Sequence, residues 1–239
     1  MFKNKQTLKN KKTNLIFEKA FSPKNATKSG LALFRWKDPQ GGVTYALYDA
    51  KATIEMLQNE KYINDPDGPD LTHMLEILLD ETMVGMVSVN SRIKGSWGAS
   101  EIQAIAAKKG FGPLLYDIVM GIEGGLISDR NKVSSQAGGV WQYYKDKRKD
   151  VTHKLLDDRE DPKTKPKIDD ASSLYPDGED NPLNYAYFQK EMPETKKLLS
   201  NNALAVKKLS SILHVGIDEV EDFISNATHD FFENRYTRN

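Results

Sequence analysis

The 239-residue sequence contains no cysteine, which removes disulfides, thiolate metal sites and cysteine nucleophiles together. It has no apolar run approaching the ~20 residues that a membrane-spanning helix needs. Its longest apolar stretches, such as Met83–Val89, are strand-sized. Net charge is also missing, since 34 Lys and Arg balance 34 Asp and Glu. No whole-molecule field therefore draws the chain to nucleic acid or acidic lipid. His73, His153, His214 and His229 are scattered without metal-ligand spacing. No Gly-x-Ser-x-Gly elbow marks a serine hydrolase, and no Gly-Lys-Ser/Thr completes a phosphate loop. The basic N-terminus lacks the apolar core of a signal peptide. These absences lead to the expectation of a cytoplasmic protein with no membrane, metal or nucleic-acid partner.

What is present is a chain that changes character along its length. Residues 1–28 are rich in Lys and Asn and read as a basic arm. From Gly30 onward, Leu31–Trp36 and Val43–Tyr48 form two β-rich runs around Asp38-Pro39-Gln40-Gly41-Gly42, which predicts a hairpin. A short helix is expected over Ala50–Gln58. A second follows Asp70 as cap, with Leu71, Met74, Leu75 and Leu78 at helical spacing. Met83–Ile93 and Ser100–Ala107 read as strands, and Pro113 opens an apolar helix to about Ile122. Leu126-Ile127 is a short strand, and Ser134 or Ser135 caps a helix carrying Val140, Trp141 and Tyr144. The segment 151–190 is acidic and Pro-rich and reads as a linker or extended segment. Residues 191–239 form a helical extension whose second stripe is Ile217, Val220, Ile224, Ala227 and Phe231. The fold class expected is α/β (α+β), with the main domain over 29–150.

Chemistry concentrates where the strand Ser100–Ala107 enters the turn Lys108-Lys109-Gly110-Phe111-Gly112 ahead of the Pro113 helix. Backbone N–H groups at a helix start lack intrahelical partners and, with the helix dipole, attract an anion. Gly110 and Gly112 let the backbone approach a phosphate, and Lys108 and Lys109 add positive charge. Glycines in a turn often do no more than turn the chain. Here the strand before, the helix after and the lysines between favour an anion site.

On these residues the chain resembles the GNAT acetyltransferases. That family's signature, Arg/Gln-x-x-Gly-x-Gly/Ala after the fourth strand, aligns with Ala107 through Gly112, with Ala107 in place of Arg or Gln. Gly125–Arg130, Val133-Ser134, Ala137, Val140-Trp141 and Tyr143-Tyr144 are similar to the family's fifth strand and following helix, with Ser134 where Asn is usual. Gly-Pro-Leu-Leu-Tyr-Asp, Asp-Arg and Trp-x-Tyr-Tyr are also similar to GNAT-like proteins encoded by bacteriophages. The resemblance spans residues 84–148. It implies a mostly antiparallel mixed sheet flanked by helices, and acyl transfer from acetyl-CoA, or another acyl-CoA, to an amine. The cofactor would be held by Ile102, Ala104, Lys108, Lys109, Gly110, Phe111, Gly112 and Pro113.

Acyl transfer to an amine needs a base and an acid. The resemblance makes Glu101, on the cofactor-holding strand, the candidate base, and Tyr143 or Tyr144 the candidate acid. Packing of an aromatic on a helix face is the competing role for each tyrosine, and a surface carboxylate the competing role for Glu101. The amine acceptor could be a small molecule or a protein. The alternative expectation is a GNAT-like fold without catalysis, for instance a virion component, with the C-terminal helices meeting a second copy or a virion partner.

Overall fold

The computed structural model describes residues 30–37, 41–59, 71–90, 94–157, 175, 178–190 and 193–236. The expected basic arm, the Asp70 cap, the end of the third strand at 91–93 and the middle of the acidic segment lie outside the described residues.

β1 (Leu31–Lys37) and β2 (Val43–Asp49) pair antiparallel from Leu31↔Asp49 to Lys37↔Val43, the expected hairpin. Two helices follow, α1 (Ala50–Asn59) and α2 (Leu71–Thr82). β3 (Met83–Asn90) then pairs with β2, and β4 (Ser100–Ala107) with β3, both antiparallel. α3 (Gly112–Glu123) crosses to the two-residue β5 (Leu126–Ile127), which runs parallel to β4. After α4 (Ser135–Lys147) come β6 (Thr152–Leu155) and β7 (Tyr185–Phe188), then α5 (Pro193–Leu213) and α6 (Ile217–Tyr236). The result is a mixed seven-stranded sheet in the order β1-β2-β3-β4-β5-β7-β6, mostly antiparallel and flanked by helices.

Alternation along the strands sorts most side chains to two large apolar cores, one on each face, beside a small third cluster of Ala99, Ile127, Leu156 and Ala186. Leu33, Tyr45, Leu47, Val87 and Ile102 pack with α3 and α4 on one face. Ala32, Phe34, Ala46, Tyr48 and Met86 pack with α1, α2, α5 and α6 on the other. α3 is apolar nearly all round, and Leu114 to Met120 are buried. It lies close on the sheet because Gly85 has no side chain, since a Cβ there would stand 2.6 Å from Leu115 Cδ1.

The sequence does not announce β6 and β7, which lie in the segment read as a linker. Thr152-His153-Lys154 is exposed and polar, and becomes a strand only through pairing with Tyr185–Phe188. The helical extension is integral to the second core. Val220, Ile224, Ala227 and Phe231 are buried there, whereas Ile217, expected in the same stripe, is 44% exposed at the start of α6. α5 lies along the outer edge of β1: Leu198 joins the first core while Ala205 to Leu213 join the second. Asn201 Nδ2 donates to the Leu31 carbonyl at 2.8 Å, and Tyr48 Oη donates to Asn202 Oδ1 at 2.9 Å. An edge strand that would template foreign pairing is thereby covered. No helix among the described residues is long and apolar enough to cross a membrane.

Candidate functional site

The sheet opens at the parallel pair. β4 and β5 share only Ser100↔Leu126 and Glu101↔Ile127, and β5 then ends while β4 continues to Ala107. Beyond Glu101, the β5-facing edge of β4 carries no strand among the described residues. Its other edge stays paired with β3 up to Gly85↔Ala107. That ladder shifts register between Ser88↔Ala104 and Val89↔Ile102, leaving Gln103 as an extra residue in β4. Such a bulge bends and twists the strand that carries it. It lies just past the last β5 pairing.

The chain beyond β5 is turned aside by Glu101 and Arg130. Glu101, 7% exposed at the fork of the two strands, accepts the Arg130 backbone N–H on Oε1 at 2.9 Å. Arg130 Nη1 donates to the Leu183 carbonyl at 2.8 Å and to Ser128 Oγ at 3.3 Å. Asp129 Oδ1 accepts the Asn131 N–H at 2.7 Å, closing a tight turn. Val133 then anchors the chain in the core, and Ser134 caps α4 by accepting the Ala137 N–H at 3.2 Å. Ser134, which stands where the GNAT pattern has Asn, thus serves as the helix cap.

At the far end of the open edge stands the Lys108–Gly112 turn. The Lys108 N–H donates to the Val84 carbonyl at 2.8 Å, ending the ladder, and the Phe111 N–H donates to the Lys108 carbonyl at 3.1 Å. Phe111 occupies the N-cap of α3 without a side-chain capping bond, and Pro113 has no N–H, so the first-turn donors ahead of the Leu115 N–H, which bonds the Phe111 carbonyl, are the amides of Gly112 and Leu114. Gly110 has φ +93°, a conformation that accounts for its glycine without any ligand. Gly112 is different. A Cβ on Gly112 would meet nothing within 4 Å, and its φ lies outside the left-handed region. Neither packing nor backbone conformation within the protein asks for glycine there, while a ligand lying against the amides would.

Not every expected group converges on this place. Lys108 Nζ is turned to the Glu81 carbonyl at the end of α2, whereas Lys109 is exposed. Ile102 is buried in the core, Ala104 is half-buried opposite Ser88, and Phe111 and Pro113 are half-buried at the helix start. Tyr143 is half-buried on α4. Tyr144 is fully buried, its hydroxyl 2.7 Å from Asp117 Oδ1 and 3.1 Å from the Pro113 carbonyl. Burial pushes its phenol well above the ordinary value, and the Asp117 charge adds to that rise.

Sequence reasoning missed what surrounds Tyr144. Arg148 Nη1 lies 3.0 Å from Asp117 Oδ2, and Arg148 Nη2 lies 2.7 Å from Asp150 Oδ2. Burial raises the Asp117 carboxyl above its usual range, partly offset by Arg148 and Tyr144. Asp150 is held below that range by its hydrogen bond from Arg148. The one signal in the sequence was a single acid, Asp117, inside an apolar helix. Trp141 lies in the same aromatic cluster, with ring centroids 5.0 Å from Tyr116 and 4.9 Å from Tyr187.

A second group unforeseen in the sequence lies at the other end of α3. Glu123 accepts from the Tyr45 hydroxyl on one oxygen and from Ser100 Oγ at 2.9 Å on the other, and Arg35 Nε donates to Tyr45 Oη at 3.1 Å. Ser100 and Glu123 of this group line an open cleft of about 350 Å³ together with Val43 and Val89. The cleft is remote from the Gly112 turn, because the two sit at opposite ends of a 12-residue helix. No group of three or more metal-binding side chains occurs among the described residues. Set beside known proteins, the chain matches no family model, no curated protein and no solved structure.

Proposed function

We propose that this chain is a GNAT-type protein that binds an acyl-CoA along the open edge of β4 and transfers the acyl group to an amine. The observation that carries the reading is the fork itself: β4 and β5 are parallel, pair through two residues and then part. The freed edge of β4 offers alternating N–H and C=O groups, and a linear ligand with amides of its own can pair with it as a strand would. The pantetheine arm of CoA is such a ligand. Its pyrophosphate would then reach the uncapped start of α3, where first-turn amides and the helix dipole favour an anion. Gly112 fits this, having open space where a Cβ would stand.

In this reading the thioester lies near the bulge at Gln103, and Glu101, paired with Ile127 at the fork, is the carboxylate that β4 itself supplies. Glu101 would take the proton from the incoming ammonium directly or through a water, and the Arg130 amide would hold its carboxylate in place. Tyr143 would be the group left to protonate the departing thiolate. The test is thiol release from acetyl-CoA with a panel of amines, polyamines and proteins. Release that Glu101→Gln slows about 10²-fold or more supports the chemistry. No release with any acceptor would refute it.

One observation favours a second reading, the same fold binding without transferring. The Tyr144 hydroxyl lies against Asp117 in the core, away from solvent, so one of the two candidate acids already has a structural partner. A bacteriophage structural protein would fit that reading. CoA binding without turnover is its signature.

A further inference from the structure

We propose that the two C-terminal helices form a self-association surface, with the lysine face of α5 docking antiparallel against the acidic face of α6 of a second copy. Lys196, Lys197, Lys207 and Lys208 are all exposed on α5 and form no ion pair among the described residues. The two lysine pairs are 11 residues apart. At about 100° and 1.5 Å per residue, that returns to nearly the same face ~16 Å further along. Leu204, at 67% the most exposed large apolar side chain among the described residues, lies between them.

α6 carries the complement. Asp218, Glu219 and Asp222 are exposed near its start, and Asp230 and Glu233 are exposed near its end. From Glu219 to Asp230 is again 11 residues, the same ~16 Å rise. Two of the four lysines on α5 and two of these five acids on α6 are set against the macrodipole. Lys196 stands near the positive end of α5, and Glu233 near the negative end of α6. Helix electrostatics alone therefore disfavour that placement. An antiparallel partner removes the conflict, bringing Lys196 and Lys197 to Asp230 and Glu233, and Lys207 and Lys208 to Asp218, Glu219 and Asp222. A two-fold axis makes the contact twice, with α5 on α6 and α6 on α5. The partner this surface fits is a second copy of the chain, because both the signs and the spacing match its own helices.

The experiment uses the full chain in sedimentation equilibrium over a concentration series. The expected result is a species of twice the 27.0 kDa chain mass that dissociates as salt shortens the screening length toward ~3 Å at 1 M. Reversing the four lysines to Glu should give a monomer. Reversing Asp218, Glu219, Asp222 and Asp230 to Lys should give another. An equimolar mixture of the two reversed variants should restore the dimer, since each face then meets its opposite. All these positions are exposed, and melting curves for each variant separate a failed contact from a failed fold. A monomeric wild type overturns the proposal, and so does a dimer that either reversal leaves intact. A wild type that stays monomeric but binds short duplex DNA or anionic vesicles would overturn it in favour of a polyanion on the lysine face.

Discussion

Gly110 and Gly112 look equivalent in the sequence and differ in the folded chain. The first occupies a left-handed conformation that a side chain would strain, while the second has open space above it. Gly112→Ala should therefore leave the melting temperature unchanged or raise stability by up to about 1 kcal/mol, as glycine replacement in a compatible helix position does. Tyr144 makes the opposite case. Tyr144→Phe deletes a buried hydrogen bond to a carboxylate, and thermal unfolding should show a loss of about 1.5–3 kcal/mol. A catalytic acid without a structural role would lose turnover with no change in melting. Asp117 gives a pH signature. Because burial raises its folded value, the native state holds the proton more tightly than the unfolded chain does. Its contribution to stability is greatest below the unfolded carboxyl value of about 4 and declines as pH rises through its raised folded value. Asp117→Asn should flatten that decline in a melting-temperature series. A decline as steep as the wild type's would place its source in another group.

At the scale of elements, the legible parts were those with clean periodicity. The Leu31–Tyr48 hairpin, β3, β4 and α3 carried alternation or a Pro start that local chemistry resolves, and even the two-residue β5 was marked by Gly124-Gly125 before it. β6 was hidden because a four-residue strand with exposed polar side chains takes its identity from its partner, and β7 because four residues, two of them buried, are too few to show a period. The fork between β4 and β5 was hidden for a related reason: it is a difference in how far two strands run together, and no residue of either strand encodes it alone. The bulge at Gln103 depends likewise on pairing with β3. The turn of the candidate site was therefore readable, while the open edge leading to it was not. The Asp117–Arg148 pair and the Glu123 group join residues 31 and 23 positions apart, contacts that only the folded chain reveals.

For the whole molecule, the two cores divide the chain differently from its composition. The C-terminal helices read as an extension, yet they cover Phe34, Tyr48 and Met86 and occupy the β1 edge. A chain ending near residue 190 would expose the part of that sheet face that α5 and α6 cover, together with an edge strand, both association hazards. It should aggregate, or lose its cooperative melt, when followed by light scattering and circular dichroism. A truncated chain that stays monomeric and melts like the full one would show that the sheet does not need α5 and α6.

Whether an acyl-CoA lies in the fork with its pyrophosphate on the start of α3 is decided by calorimetric titration of acetyl-CoA into the wild type and into Gly112→Ala. The prediction is saturable 1:1 binding by the wild type, and loss of most of that affinity in a variant whose melting temperature is equal or higher. Equal affinity in the two proteins, or no binding by the wild type, would contradict it.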